Sequence, residues 1–256
     1  MSLALVLAIA CQPEAEDNQN PGNSEDGTEQ QGGDQGGGTD QGGGTEQGGG
    51  TEQGGGTEQG GDQSAMAAVD LGLSVKWAEC NLGAASKEQA GDYFAWGETE
   101  SKEGFTMGNY AFFDSDNKIT KYNATDGWGV VDNKKTLDLE DDAARAILKG
   151  SWRIPTFDEW KELKDNCTWT WGQVNGVNGY TVTALSGASI FLPGASYKDG
   201  ASVHDNNSNQ GWYWTANLSN GYPSSAKCLY IDHNFVDLTS SDLGRYLGLS
   251  IRAVCD

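Results

Sequence analysis

The sequence SWRIPTFDEWKELKDN, residues 151–166, carries the clearest helix signal in the chain. Thr156, followed three residues later by Glu159, forms a capping box, in which each side chain binds a backbone amide at the start of a helix. Trp160 and Leu163 lie on one face at helical spacing. We therefore predict a helix that begins after Thr156, buries Trp160 and Leu163, and ends with this segment.

Two further elements are predicted on the amino-terminal side of this helix. In residues 69–75, apolar side chains alternate with small or polar ones, as in a half-buried strand. Residues 139–148 fit a shorter helix with an apolar stripe, and Asp141 and Asp142 in its first turn favour a helix N-terminus. The chain is thus expected to contain two helices.

The segment that follows the helices is predicted to consist of strands, because short apolar alternations are separated by Asn-Gly and Ser-Gly turn signals. The predicted strands cover residues 168–174, 180–185, 189–192, 212–216, 227–232, 235–238 and 247–254. Two helices followed by antiparallel strands is an α+β order, so we predict the α+β class.

Residues 1–10 form an apolar run that ends in Ala-Ile-Ala before Cys11. This run is too short to span a bilayer and has the length of a signal-peptide core. Small residues before a cysteine are similar to a lipobox, in which the thiol is acylated and the chain is cut before it. We expect a lipoprotein signal at residues 1–10 and lipidation of Cys11 by fatty acids such as palmitate; an ordinary secretory signal is the alternative.

Residues 11–64 are predicted to be a disordered acidic tether. Residues 36–59 repeat the unit Gly-Gly-Gly-Thr-Asp/Glu-Gln, and a Gly-rich segment without apolar side chains stays a flexible coil. Residues 12–17, Gln-Pro-Glu-Ala-Glu-Asp, resemble the acidic stretch that directs lipoproteins of Bacteroidetes-type bacteria to the cell surface. The expected location is therefore the outer membrane, facing outward, with membrane contact only through the lipid on Cys11.

The charge of the chain excludes nucleic acid as a partner. Residues 12–63 contain 12 acidic side chains and no Lys or Arg, which leaves 25 acidic against 16 basic side chains downstream. A phosphate backbone requires a basic footprint that this composition lacks. All 9 Trp and all 9 Tyr follow residue 76, so one folded domain is expected in residues 65–256.

Six motifs follow one another in residues 68–256. They are VDLGLSVKWAECNLGA from residue 69, GDYFAWGE from 91, EDDAA from 140, SWRIPT from 151, YWTA from 213 and GLSIRAV from 248. In this order they resemble the Fibrobacter succinogenes major paralogous domain, a family abundant in surface lipoproteins of gut bacteria. The resemblance implies a C-type-lectin-like fold, related to the variable proteins that bacteria diversify with retroelements.

Four cysteines remain once Cys11 is lipidated. Cys80, Cys167, Cys228 and Cys255 allow up to two disulfides among three connectivities, and their spacing does not choose between them. Free buried thiols are a second interpretation. A zinc cluster is not expected, because the chain has no Cys-x-x-Cys motif and only two His.

No catalytic residues are predicted, because neither a nucleophile motif nor a catalytic triad pattern is present. Paired carboxylates such as Glu98 and Glu100 are interpreted as turn acids, although a glycosidase would also use such a pair. We expect no cofactor. Calcium stays an open alternative, because residues 114–117 and 199–209 offer oxygen ligands; the EF-hand pattern fails there, and solvated turns explain the acids equally well.

The region 204–246 mixes Tyr and Trp with Asn, Asp and His, a combination that suits recognition of glycans or proteins. Polar loops without a ligand would have a similar composition. Alternation from residue 230 onward also predicts that Asp232, Asn234 and Asp237 face outward together. The predicted ligand-binding residues are Asn206, Asn207, Trp212, Tyr213, Asn217, Asn220, Tyr222, Asp232, His233, Asn234, Asp237, Arg245 and Tyr246.

Three functions are compatible with this sequence. The favoured hypothesis is a non-catalytic binding module for adhesion or capture, whose partner is a glycan or a host or bacterial surface protein. A structural or assembly component of a surface complex is the alternative. A polysaccharide hydrolase ranks third.

Overall fold

The computed structural model describes residues 66–204 and 208–256. They form two α-helices, α1 (Ala143–Leu148) and α2 (Phe157–Asn166), and several small antiparallel sheets. This mixed architecture with few helices agrees with the predicted α+β class. Within the described residues, no helix is long and apolar enough to cross a membrane.

The strands are short, and many connect distant parts of the chain. They are β1 (Ala68–Val69), β2 (Lys76–Ala78), β3 (Thr168–Val174), β4 (Val177–Thr183), β5 (Ser189–Pro193), β6 (Tyr197–Asp199), β7 (Ser202–Val203), β8 (Gln210–Leu218), β9 (Ser225–Asp232), β10 (Val236–Asp237), β11 (Asp242–Gly244), β12 (Gly248–Leu249) and β13 (Val254–Cys255). The sheets have the orders β1-β2-β13, β3-β4-β5 and β12-β6-β7, and in the fourth sheet β9 pairs with β8, β10 and β11. The pairing of β2 with β13 places Trp77 opposite Val254, so the first and last described segments share one sheet.

Helix α2 confirms the capping prediction. The Glu159 amide donates to Thr156 Oγ1 at 3.3 Å, and the Thr156 amide donates to Glu159 Oε2 at 2.7 Å. Glu159 also accepts from Arg153 Nη1 at 2.8 Å, which fixes the carboxylate against the preceding segment. Trp160 and Leu163 are fully buried, as predicted.

The shorter predicted helix, residues 139–148, is interrupted. A 3₁₀ turn covers Leu139–Asp141, and α1 begins only at Ala143. Asp142 is the N-cap of α1, where its side chain accepts from the Arg145 amide at 3.0 Å. Because an N-cap residue lies outside the helical conformation, the backbone of Asp142 is extended. This residue therefore separates the 3₁₀ turn from α1.

The predicted strand at residues 69–75 is wrong beyond Val69. Asp70 Oδ1 accepts from the Gly72 amide at 2.8 Å, and this local turn replaces a strand ladder. Leu71 and Val75 are buried nonetheless, so the apolar alternation reports core contact without strand pairing. The β3–β4 hairpin, by contrast, has the predicted Asn-Gly turn, with Asn175 and Gly176 both at positive φ.

Two hydrophobic clusters lie against the pair of strands β8 and β9. The first contains Trp96 and Trp214, and the second contains Trp77, Trp160 and Tyr213. Trp77 and Trp96 are fully buried. The β8–β9 pair therefore contributes side chains to both clusters and carries its polar residues mainly at its two ends.

Arg252 is fully buried without a carboxylate partner. It donates to Asn81 Oδ1 at 2.9 Å and to the carbonyl oxygens of Ala78, Glu79 and Phe191 at 2.7–3.1 Å. Burial lowers the pKa of Arg252 to about 10. These bonds tie β5 to the segment after β2, since one guanidinium group offers five donors in a fixed geometry.

The four cysteines among the described residues, Cys80, Cys167, Cys228 and Cys255, are free thiols. Of the two interpretations that the sequence left open, disulfides or free thiols, the described residues show free thiols. Cys228 is fully buried, and its Sγ donates to the Ser241 carbonyl oxygen at 2.7 Å.

Candidate ligand-binding cleft

One face of the β8–β9 pair changes from buried to solvent-exposed along its length. The register pairs on this face are Trp214 with Cys228, Trp212 with Tyr230, and Gln210 with Asp232. The first pair is fully buried, whereas the second and third pairs are only partly buried. Because side chains two residues apart share a face of a strand, the aromatic packing of the core continues outward to a polar end.

Four aromatic rings follow one another at this opening, and we call them the aromatic ladder: His204, Tyr197, Trp212 and Tyr230. His204 is stacked on Tyr197 with ring centroids 4.6 Å apart, Tyr197 meets Trp212 edge-on at 5.0 Å, and Trp212 meets Tyr230 at 4.7 Å. His204 is exposed, and the other three rings are half-buried. The ladder therefore combines ring-to-ring packing with partial exposure to solvent.

A cleft of about 720 Å³ lies at the polar end of the ladder, between β3–β4 and β8–β9. We call it the Asp232 cleft. It is lined by Trp171, Asn178, Asn209, Gln210, Asp232 and His233. Its volume is within the range of small-ligand sites, about 300–1,000 Å³.

The Asp232 carboxylate is held by three hydrogen bonds. Oδ1 accepts from the backbone amides of Asn234 and Phe235 at 2.7 and 2.8 Å, and Oδ2 accepts from the Tyr230 hydroxyl at 2.7 Å. Partial burial opposes ionisation, but these three donors outweigh it and lower the pKa of Asp232 below its ordinary value. Asp232 is therefore a fixed negative charge at neutral pH.

The amide groups on the opposite wall are oriented by a relay of hydrogen bonds. Gln173 Nε2 donates to Asn178 Oδ1 at 2.8 Å, and Asn178 Nδ2 donates to Asn209 Oδ1 at 3.1 Å. The Gly194 amide also donates to the Asn178 carbonyl oxygen. With its Oδ1 engaged as an acceptor, Asn209 presents an amide NH₂ group, which is a donor.

Three of the predicted residues lie at this site. Asp232 and His233 line the cleft, and Trp212 belongs to the ladder. Asn234 is exposed next to His233, but it does not line the cleft.

The predicted outward row of Asp232, Asn234 and Asp237 does not form. The chain turns at residues 232–235, because Asp232 caps this turn, and β10 then pairs back onto β9. Asp237 instead holds the next turn, accepting from the Thr239 amide at 2.9 Å. Partial burial raises the pKa of Asp237, but hydrogen bonds from the Ser240 hydroxyl and from the amide and hydroxyl of Thr239 outweigh it and lower this pKa.

The prediction that Tyr213 and Arg245 bind a ligand is wrong, because both side chains are fully buried and offer no surface to a ligand. The Tyr213 hydroxyl donates to the Pro193 carbonyl oxygen. Arg245 Nε donates to the Tyr110 hydroxyl at 2.9 Å, and its guanidinium lies 5.1 Å from the Trp96 ring centroid. Both side chains therefore stabilise the core.

Other predicted residues lie away from the cleft. Asn217, near the opposite end of β8, accepts from the Phe157 amide at 2.7 Å and donates to Thr136 Oγ1 at 3.2 Å. Asn220 and Tyr222 are exposed in the turn between β8 and β9. At about 3.3 Å per residue, Asn217 is roughly 20 Å from Gln210, so these residues form no common surface with the cleft.

Tyr246 is half-buried and packs between two hydrophobic clusters. Asn206, Asn207 and Cys11 lie outside the described residues. The predictions for these three residues, for the signal and for the tether therefore stay predictions.

Asp114 and an acidic group at residues 138–141 have partners that explain them without a calcium ion. Asp114 Oδ1 accepts from the amides of Asp116 and Lys118 at 2.9 and 2.8 Å, as in a solvated turn. The acidic group found among the described residues is Asp138, Glu140 and Asp141. The Lys121 ammonium already lies among these three carboxylates, 3.1 Å from Asp138 and 2.9 Å from Glu140.

The carboxylate pair considered for a glycosidase has a structural explanation at Glu98. Its Oε1 accepts from the Ala111 amide at 2.8 Å, and it pairs with Lys102 at 2.7 Å. These contacts close the loop between residues 98 and 111.

The predicted ligand-binding residues included neither Trp171, Asn178 and Tyr197, which lie before the region 204–246, nor His204, Asn209, Gln210 and Tyr230, which lie within it. A signal for Trp171 was present, because Trp169 and Trp171 share one face of the correctly predicted strand β3. The tertiary contact that brings this hairpin to the start of β8, through Asn178 and Asn209, has no local signal.

The chain matches no protein-family model, and it shows no significant similarity to a curated protein or to a solved structure. The family resemblance of the sequence motifs stays a prediction. The cleft and the ladder are therefore interpreted from their own geometry.

Proposed function

We propose that the folded part of this chain is a non-catalytic binding domain of a lipid-anchored surface protein, and that it captures a glycan for adhesion or uptake. The C-type-lectin-like fold and the outward-facing location at the outer membrane are parts of this proposal. They rest on the sequence motifs and on the segment around Cys11.

The observation that carries the proposal is the continuity of the aromatic ladder with the Asp232 cleft. Sugars present apolar C–H faces that pack on aromatic rings, and hydroxyl groups that both donate and accept. Trp212 and Tyr230 offer ring surface, Asp232 offers an acceptor and Asn209 offers a donor. One ligand that spans both parts would use all of these groups.

The side chains in the cleft are also pre-organised. The hydrogen bonds to Asp232 and the amide relay through Asn178 fix these groups before a ligand arrives. Pre-organisation reduces the entropic cost of binding, which supports a recognition site over an unstructured polar surface.

A glycan array probed with the full chain tests the proposal. The paired substitution Gln210→Ala with His233→Ala removes two lining side chains and leaves the core untouched, and we expect it to weaken binding by about tenfold or more. Asn234→Ala is the matched control, because this exposed neighbour lies outside the cleft, and it is expected to bind like the parent chain. Unchanged binding by the paired variant would remove the cleft as the site.

A second candidate function, assembly with another surface protein, is favoured by one observation. Trp128, Val130 and Val131 are 39–58% exposed, and they lie within four residues of one another, whereas the other exposed large apolar side chains are scattered along the chain. Crosslinking on intact cells, followed by size determination, should then trap one stoichiometric partner, and Trp128→Ser should abolish the adduct. Capture of glycan without such an adduct favours the binding domain.

A further inference from the structure

We infer that the Asp232 cleft selects a neutral, hydroxyl-rich saccharide and excludes sugars that carry a carboxylate, sulfate or phosphate group at the bound position. This inference rests on the proposed glycan-binding function and adds a ligand class to it. Three features carry it: the free acceptor capacity of Asp232, the absence of Lys and Arg from the lining residues, and a second carboxylate beside the ladder.

The first feature is the hydrogen-bond capacity of Asp232. An ionised carboxylate has about four acceptor sites and no donor. Three of these sites are filled by Tyr230, Asn234 and Phe235. The remaining capacity is on Oδ2, and it accepts only from a group that donates, such as a hydroxyl. A ligand carboxylate or phosphate placed there would bring two acceptors of like charge together.

The second feature is the charge of the lining. The six lining residues include Asp232 and His233 as titratable groups and contain no Lys or Arg. Burial, followed by the Asp232 charge, raises the pKa of Tyr180 in β4, the strand that also contributes Asn178 to the lining. Arg and Lys are the side chains that pair most strongly with an anionic sugar, and the lining offers neither.

The third feature is the charge beside the aromatic ladder. Tyr197, Lys198 and Asp199 form β6, and alternation places Tyr197 and Asp199 on one face. The Lys198 ammonium instead lies 5.3 Å from the centroid of the Tyr93 ring. Burial and then the Asp199 charge raise the pKa of Tyr197. The ladder is therefore bordered by a carboxylate on the same face of β6 as Tyr197.

Hydroxyl groups satisfy both walls of the cleft. A hydroxyl can donate to Asp232 Oδ2 while another accepts from the Asn209 amide, whose orientation is set by Asn178. An ammonium group would satisfy Asp232 but could not accept from Asn209. This pairing of one acceptor and one donor distinguishes a neutral saccharide from an amine.

The experiment compares matched oligosaccharides on one array, namely neutral chains and the same chains ending in sialic acid or uronate, probed with the full chain. We expect the acidic forms to bind at least about tenfold more weakly. Asp232→Asn should narrow the ratio between neutral and acidic ligands by about threefold or more, because it removes the like charge. Asn234→Ala should leave the ratio unchanged.

Two further readouts keep the test decisive. The fold of Asp232→Asn is checked by near-ultraviolet circular dichroism, and the Tyr230 hydroxyl can reverse its role to accept from the new amide. If that variant does not fold, the parent chain is measured at about 0.05 M and 1 M salt, where screening should narrow the same ratio.

Each outcome has one meaning. Equal binding of neutral and acidic forms overturns the ligand class and leaves glycan binding standing. Binding of acidic forms alone also overturns the ligand class. No binding to any saccharide removes the proposed function together with the inference.

Discussion

The two ends of the β8–β9 pair have similar polar side chains and use them in opposite ways. At the far end, Asn217 caps the first amide of α2, and the Ser219 hydroxyl donates to Asp242. At the open end, Gln210 and Asp232 line a cleft. Asn, Ser, Tyr and Asp side chains thus indicate hydrogen bonding in general, and only their partners distinguish a structural group from a binding group.

Arg245 donates to the Pro223 carbonyl oxygen in the turn between β8 and β9, at the far end of the pair. Its replacement is expected to cause the largest loss of stability. Arg245 bonds the Tyr110 hydroxyl and the carbonyl oxygens of Lys121, Tyr122 and Pro223 at 2.9–3.1 Å. Replacing it with Met leaves these buried groups without donors, so we expect Arg245→Met to lower the free energy of unfolding by about 3 kcal/mol or more. Denaturant titration measures this loss, and a loss below about 1 kcal/mol would contradict the structural role.

Replacement of Glu159 is expected to cause the next largest loss of stability, and the stabilising contribution of its carboxylate depends on pH. Burial raises the pKa of Glu159, but hydrogen bonds from Arg153 and the Thr156 amide outweigh burial and lower it below the ordinary value near 4.5. Its stabilising contribution is therefore complete above that ordinary value and is lost as the pH falls through the lower folded-state pKa. At pH 7, we expect Glu159→Gln to cost about 1–2 kcal/mol.

The same variant should also respond less to acid. Between about pH 5 and pH 3, the parent chain should lose more stability than Glu159→Gln, because only the parent has this carboxylate to protonate. Urea unfolding at a series of pH values measures both slopes. Parallel slopes would show that Glu159 does not contribute to the acid sensitivity.

Replacement of Asn217 is expected to cause the smallest loss of stability of the three. It also distinguishes the structural role of the far end from the binding role of the open end. Asn217→Ala removes the acceptor for the Phe157 amide, so we expect a loss of about 1 kcal/mol in unfolding free energy. Glycan binding should be unchanged. The paired cleft variant of Gln210 and His233 should show the reverse pattern, with weaker binding and less than about 0.5 kcal/mol of lost stability.

Elements governed by neighbouring residues were predictable from the sequence. The Thr156 and Glu159 capping box predicted the start of α2, and the Asn175-Gly176 turn predicted the hairpin that follows. The strand predicted at residues 69–75 was wrong because a side-chain turn at Asp70 satisfies the backbone locally. Periodicity detects burial in such a segment, but it does not detect which backbone groups pair.

The candidate site was only partly predictable. Asp232, His233 and Trp212 were found because they lie in one polar and aromatic stretch of the chain. Tyr213 and Arg245 were in the same stretch but are buried, since strand alternation and a tertiary pocket for the guanidinium are decided by packing. Trp171 and Asn178 come from a hairpin more than 30 residues earlier, and no local pattern specifies their contact with β8.

The most direct test follows the indole N–H signals of the nine Trp residues by NMR while a neutral oligosaccharide is added to the ¹⁵N-labelled full chain. Binding at the open end predicts that the signals of Trp171 and Trp212 shift with ligand concentration, whereas exposed Trp128 stays unchanged. Shifts confined to Trp128, or shifts that leave Trp171 and Trp212 in place while the glycan binds, would contradict the account.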